Sequence, residues 1–292
     1  MSANLPTLYA QEYATNIQML LQQKESRLSK AVTHGTYKGE QASPVDQVGI
    51  VEMLEVNERF TPMRRVDAPF DRRWIVPTPY ELPQLVDRFD KLKMVLDPQS
   101  ALVATGAAAV NRRKDRSIIS AMFGTALTGK TGSTATTFPV AQEVAVNFHA
   151  ASNTGLTVEK LKEAKKILMA AEVDLETDPL FCAVTATQHD NLLSEIQVQS
   201  KDFNDRPALV DGKITRFMGF EFIHTELLSF STYRLIPVWA KSGIHLGTWQ
   251  DQQFNVSQRT DLTATPWQLY HSLMLGATRT EEKKIVKIFA AE

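Results

Sequence analysis

The sequence predicts an α+β protein, and three observations predict it. A long stretch, residues 97–124, is helical in pattern; a helix, a strand and a second helix follow one another between residues 157 and 193; and the last third of the chain is a run of short apolar segments separated by turns. In the long stretch Asp97 can cap a helix and Pro98 occupies the first helical position, where its missing N–H costs nothing. Leu102, Ala107, Ala108, Ala109, Val110, Ile118, Ile119, Met122 and Phe123 follow without an interrupting proline. At about 1.5 Å per residue such a helix is roughly 40 Å long, so it needs partners along its length. Arg112, Arg113, Lys114, Asp115 and Arg116 wrap it with consecutive charges. One face there must meet solvent, another chain or a polyanion, and a solvated face is the commonest outcome. Gly106 costs about 1 kcal/mol of helix stability relative to Ala and predicts close packing or a bend.

Composition bounds the rest. With 292 residues, 43% of them hydrophobic, the chain can bury one large core or two modest ones. A net charge of -1 supplies no global basic field, which disfavours a free reader of nucleic acid. The one cysteine, Cys182, excludes an internal disulfide and a cysteine-based zinc site, and its apolar surroundings predict a core thiol. The first residues lack a basic start followed by an apolar core, and no apolar run approaches the roughly 20 residues of a membrane helix. The expectation is a soluble, cytoplasmic protein.

From the N-terminus, Tyr9, Tyr13, Ile17, Leu20, Leu21 and Leu28 predict an amphipathic helix over residues 8–32, ending in a basic patch of Lys24, Arg27, Lys30, His34 and Lys38. Residues 37–79 carry glycine, proline and charge in place of helical periodicity, with strand-like pieces at 48–56 and 74–76. A connection this long usually marks a functional loop. Its charges are ordered: Glu52, Glu55 and Glu58 lie on the outgoing limb, and Arg59, Arg64, Arg65, Arg72 and Arg73 on the tip and returning limb. Such an arm can pair across its own strands or clamp a neighbour head-to-tail, and the sequence leaves both open. Residues 80–96 read as a second, shorter helix with Pro83 in its first turn.

Gly124, Gly129, Lys130 and Thr131 satisfy the phosphate-loop pattern G-x-x-x-x-G-K-[ST]. That chemistry needs a strand before the loop and a helix opening at the lysine. Here a helix precedes it, and a poor helix former ending at Pro139 follows, so a glycine-rich loop is the favoured reading. Residues 140–154 suggest an extended edge. Thr157 caps a helix whose apolar face is Leu161, Ala164, Ile167, Leu168 and Ala171, opposite Lys160, Lys162, Lys165 and Lys166. A strand over 180–184, a short helix opening at Thr187, a polar loop over 199–213, and strands near 217–224, 233–240, 244–249, 254–256, 267–277 and 285–290 complete the chain. The six histidines show no metal-ligand spacing, and no nucleophile elbow or paired carboxylates stand out, which leans toward a structural role without cofactor or metal.

The order of these elements resembles the major capsid proteins of tailed bacteriophages, the Hong Kong 97-type fold, in a podophage-like form without a long N-terminal scaffolding domain. The likeness rests on the arm preceding the 97–124 helix; on the layer from Thr157 through 180–184 to the helix holding His189; on the polar loop leading into residues 214–228; and on the closing strands at 254–260, 267–279 and 285–289. The resemblance implies an N-terminal arm (1–36), an extended E-loop (37–79), a peripheral domain with the spine helix (80–155, closed by strands at 252–292) and an axial domain (156–251). It implies hexamers and pentamers tiling an icosahedral shell around double-stranded DNA, assembled in the host cytoplasm with a separate scaffolding protein and a portal protein at one vertex. DNA would be met by non-specific contact. The eight arm charges named above become inter-subunit contacts. Some members cross-link through an E-loop lysine, but none lies between Lys38 and Lys91, which predicts a non-covalent shell or one held by a cement protein. The rivals are an encapsulin-like compartment of the same fold and, from another class, a nucleotide-binding enzyme using residues 124–131.

Overall fold

A computed structural model describes residues 21–57, 59–60, 62–86, 99–195, 214–263 and 265–292. In chain order the strands are β1 (Thr33–Thr36), β2 (Ala42–Val48), β3 (Phe70–Ile75), β4 (Thr78–Val86), β5 (Ala126–Thr128), β6 (Thr134–Thr136), β7 (Glu143–Val144), β8 (Leu180–Val184), β9 (Arg216–Phe217), β10 (Phe220–His224), β11 (Arg234–Ala240), β12 (Ile244–Gln258), β13 (Trp267–Arg279) and β14 (Ile285–Ala290). The helices are α1 (Gln99–Phe123), α2 (Val158–Ala170) and α3 (Ala186–Leu193). Three sheets result, ordered β1-β12-β13-β4, β7-β14-β11-β8-β10-β9 and β2-β3-β5-β6. The chain forms two compact units. One holds the described parts of Met1–Glu25, Tyr80–Arg112 and Gln252–Leu273, and the other those of Ser26–Pro79, Arg113–Asp251 and Met274–Glu292.

In the larger unit the six-stranded sheet carries the core. Leu180, Cys182 and Val184 of β8, Ile236, Val238 and Ala240 of β11, and Val286, Ile288 and Ala290 of β14 join Leu161, Ala164 and Leu168 of α2 in one buried cluster. Helix α2 starts as its sequence predicts, with the Thr157 side chain accepting from the Lys160 amide. Lys160, expected on the solvated stripe with Lys162, is instead fully buried. Its Nζ donates to the carbonyls of Thr154 and Gly155 at 2.8 Å each and of Phe289 at 3.0 Å, and burial pushes its pKa down to about 8. The short helix begins at Ala186, capped by Thr185.

Two other expectations are corrected. Residues 21–32 are not the end of a helix. Leu28, Ala31 and Val32 are fully buried, and the Asp115 carboxylate accepts from the Ser26 hydroxyl and the Arg27 and Leu28 amides, at 2.5 Å, 3.0 Å and 3.2 Å. Those amides are held from afar, so they are lost to a local helix. Ala31 O also accepts from Trp239 Nε1 at 2.8 Å. Asp115 is thus the buried member of a charge run whose Arg116 is exposed. The part of the expected helix over residues 8–20 lies outside the described residues, as do Asp97, Pro98 and the 199–213 loop. Residues 78–86 form strand β4 where a helix was expected, its burial alternating in twos. As the last strand of its sheet it tolerates Pro83, which has no N–H to give. Likewise the arm strands are 42–48 and 70–75, with residues 49–57 irregular. Strand β12 runs unbroken where two pieces were expected, and the 140–154 edge is reduced to β7.

In the smaller unit Gly106 of α1 is the close approach its sequence announced. A methyl group there would sit 2.2 Å from Nε2 of His271, a ring 1% exposed that also faces Phe254 at 4.7 Å between centroids. Gly106→Ala is expected to lower subunit stability by about 1–2 kcal/mol, a packing penalty reduced by the better helix former. Urea unfolding of the single and double variants checks this: the cost should largely vanish beside His271→Ala.

Candidate functional site

The arm is rooted in the antiparallel pair β2/β3, whose register sets Asp46 opposite Arg72 and Gln47 opposite Asp71. The two cross-strand neighbours form a fork, Arg72 Nε to Asp46 Oδ1 at 2.6 Å and NH2 to Oδ2 at 3.0 Å. The guanidinium holds the Asp46 carboxyl below its usual range. Alternation along the strand turns Arg73 to the other face, where it is 5% exposed and grips Glu282 through two 2.7 Å bonds. Arg279 shares that carboxylate, with Nε 3.7 Å away. Its own guanidinium is fully buried, reaching the carbonyls of Met122 at 3.3 Å, Thr136 at 3.1 Å, and Gly124.

Of the eight charges the sequence singled out, Arg72 and Arg73 are therefore engaged within their own chain. Arg65 bonds Asp67 at 2.6 Å, both groups remaining well exposed. Glu52, Glu55, Arg59 and Arg64 are exposed and form no ion pair among the described residues, and Glu58 lies outside them. The charge pattern alone passed over the apolar residues between them. Ile50, Met53, Val56, Phe60, Met63 and Phe70 are all exposed, Met53 at 99% and Phe60 at 102%. The signal was present in the sequence as an apolar content too high for a solvated loop.

The phosphate-loop pattern is a different structure altogether. Residues 126–136 form the β5/β6 hairpin, which continues the arm's sheet through β3. Gly129 and Gly132 take positive φ of 86° and 72°, as its turn requires. The amide that would cradle a phosphate, Gly129 N–H, donates to the Asp71 carboxylate at 3.1 Å, while Gly129 O accepts from Trp74 Nε1 at 2.7 Å. An acidic group at the loop and no helix after it overturn the nucleotide-binding reading. No cluster of metal-ligating side chains occurs among the described residues. Cys182 is a buried core thiol whose pKa burial raises.

A family model described as phage capsid protein matches residues 5–292. The chain belongs to the phage capsid protein family. Solved structures agree on the fold. The capsid of the cyanophage P-SCSP1u has a TM-score of 0.76 at 16% identity, covering 100% of this chain and 96% of that one. The capsid of a native GTA particle gives 0.72 at 12% identity with 100% of both chains covered. Cyanophage Pam1 gives 0.74 at 10%, covering 98% and 97%. No curated protein matches the sequence. The fold is the Hong Kong 97 type, and the capsid protein's role is that of a major capsid protein, a structural one.

Proposed function

We propose that this capsid protein builds its shell through the arm, each copy laying residues 49–69 on a neighbour, in hexamers and pentamers that close an icosahedron around double-stranded DNA. The observation that carries this reading is the arm's apolar exposure. At about 25 cal/mol per Å² the side chains of Met53, Phe60 and Met63 gain nothing from their own subunit and would gain substantially under a second copy. Glu52, Glu55, Arg59 and Arg64, which form no ion pair among the described residues, supply orientation. In this scheme residues 1–36 serve as the N-terminal arm and 37–79 as the E-loop; 80–155 and 252–292 make the peripheral domain and 156–251 the axial one. Assembly takes place in the host cytoplasm with a separate scaffolding protein, and a portal protein occupies one vertex. The lack of an arm lysine favours non-covalent cohesion or a cement protein.

The test is the double reversal Arg64→Glu with Arg65→Glu. Exposed pairs are worth only about 0–1 kcal/mol, so the isolated subunit should unfold as before. A loss of about 1 kcal/mol at each contact is a factor of about 5 in each equilibrium, and a shell repeats the contact at every subunit. Sedimentation should show shells replaced by free capsomers or subunits. Wild-type shell yield in the double variant overturns the assignment.

A further inference from the structure

The short strand β1 lies at the edge of its sheet, parallel to β12, with Gly35 opposite Gly247. Both glycines make room for rings. A methyl on Gly35 would stand 2.5 Å from the Tyr37 hydroxyl and 2.8 Å from His245 Nε2, and one on Gly247 would stand 2.9 Å from the Trp249 ring. In the slot, Tyr37 OH lies 2.8 Å from His245 Nε2, and Thr33 Oγ1 lies 2.9 Å from His245 Nδ1. The proton positions follow from chemistry. Thr33 Oγ1 donates to the Ile244 carbonyl at 2.7 Å, so it accepts from His245 Nδ1–H. Nε2 is then bare and accepts from the Tyr37 hydroxyl. The neutral imidazole thus fastens both ends of β1, from Thr33 to the residue just past Thr36.

We infer that His245 is a pH-sensitive latch on β1, closed when the ring is neutral and opened by its protonation, which frees the chain between the anchored 26–32 segment and the root of the arm. With Nε2 protonated, two donors face each other across 2.8 Å unless Tyr37 turns its own proton away. The new charge is also 8% exposed, and the hydrogen-bond partners of the ring among the described residues are the hydroxyls of Thr33 and Tyr37 rather than a carboxylate. His34 on β1 adds like charge. Across the open groove of about 810 Å³ that His245 helps line, β2 and β3 present Asp46 and Asp71, and the turn after β13 presents Glu281, Lys283 and Lys284. Asp46 is held by Arg72, and Glu281 lies 3.6 Å from Lys284.

Burial holds the His245 pKa below its ordinary 6.5, with His34 adding to the effect. The sign follows: the closed form binds the proton less well than the open one, so closure is fully favoured above the free value and is lost as pH falls below it.

The experiment is hydrogen exchange of the full-length chain, with protection of amides 33–39 corrected for the intrinsic rate, between about pH 7 and about pH 5. Protection should fall by up to about tenfold per pH unit, one proton being taken up. Residues 28–32, held by Asp115 and Trp239, should change little. His245→Gln should flatten the dependence. Tyr37→Phe, which keeps the ring and removes the hydroxyl, should lower protection at neutral pH and reduce its acid loss. Protection of 33–39 that is independent of pH in the wild type, or that falls equally in both variants, overturns the latch.

Discussion

Arg279→Met is expected to destabilise the subunit by about 3–5 kcal/mol, the cost of leaving the carbonyls of Met122, Gly124 and Thr136 without their guanidinium donor. The side chain is 0% exposed and stands at the end of β13. It reaches the Met122 and Gly124 carbonyls where α1 ends and the Thr136 carbonyl of the hairpin. It also faces the Phe138 ring at 5.4 Å and shares Glu282 with Arg73. Helix ends leave carbonyls unsatisfied and carry partial negative charge, so the guanidinium meets both needs at once. Burial presses its pKa down, opposed chiefly by Glu282. Arg279→Lys should recover little, because one ammonium cannot span carbonyls placed for a planar fork. Urea unfolding of unassembled subunits measures both variants. A loss below about 1 kcal/mol for the Met variant would refute the account.

Lys160→Met should cost about 2–4 kcal/mol by the same measurement. The carbonyls of Thr154, Gly155 and Phe289 lose their shared donor; Thr154 O keeps the Ala291 amide at 3.0 Å, and each carbonyl left orphaned costs about 1–3 kcal/mol before the relief of no longer burying an amine. Methionine keeps the packing of the aliphatic stem, so the variant isolates the polar term. Exchange of the backbone about residues 154–156 and the end of β14 should rise first, because the lysine ties them together beside the Ala291 amide to Thr154 carbonyl bond. A variant as stable as wild type would mean that water replaces the amine without penalty.

These two side chains also show why parts of the fold were legible and others were not. The 25 residues of α1, the all-apolar β8 and the Thr157 cap of α2 follow from local pattern, and each was found where expected. Lys160 looked like its neighbours Lys162 and Lys166, and what distinguishes it is the folded placement of its Nζ among the carbonyls of Thr154, Gly155 and Phe289, the last 129 positions away. Residues 21–32 have helical spacing, yet a carboxylate nearly ninety positions later takes their amides. Strand β4 misled through Pro83, although the alternation of Tyr80, Leu82, Gln84 and Val86 was available to read. Arm charge order was visible in the sequence. The engagement of the arm's root within its own chain was not, because Glu282 lies 209 positions from Arg73.

The β2-β3-β5-β6 sheet makes the arm something other than a tether. Strand β5 starts at Ala126, just after α1 ends at Phe123, and it is hydrogen-bonded to β3, with Trp74 and Asp71 fixed to Gly129. Torque applied at the arm is therefore carried by backbone bonds into the end of the helix, as a rigid crank carries it to its shaft. In the proposed shell, a neighbour that seated the arm would also set the strain at that joint.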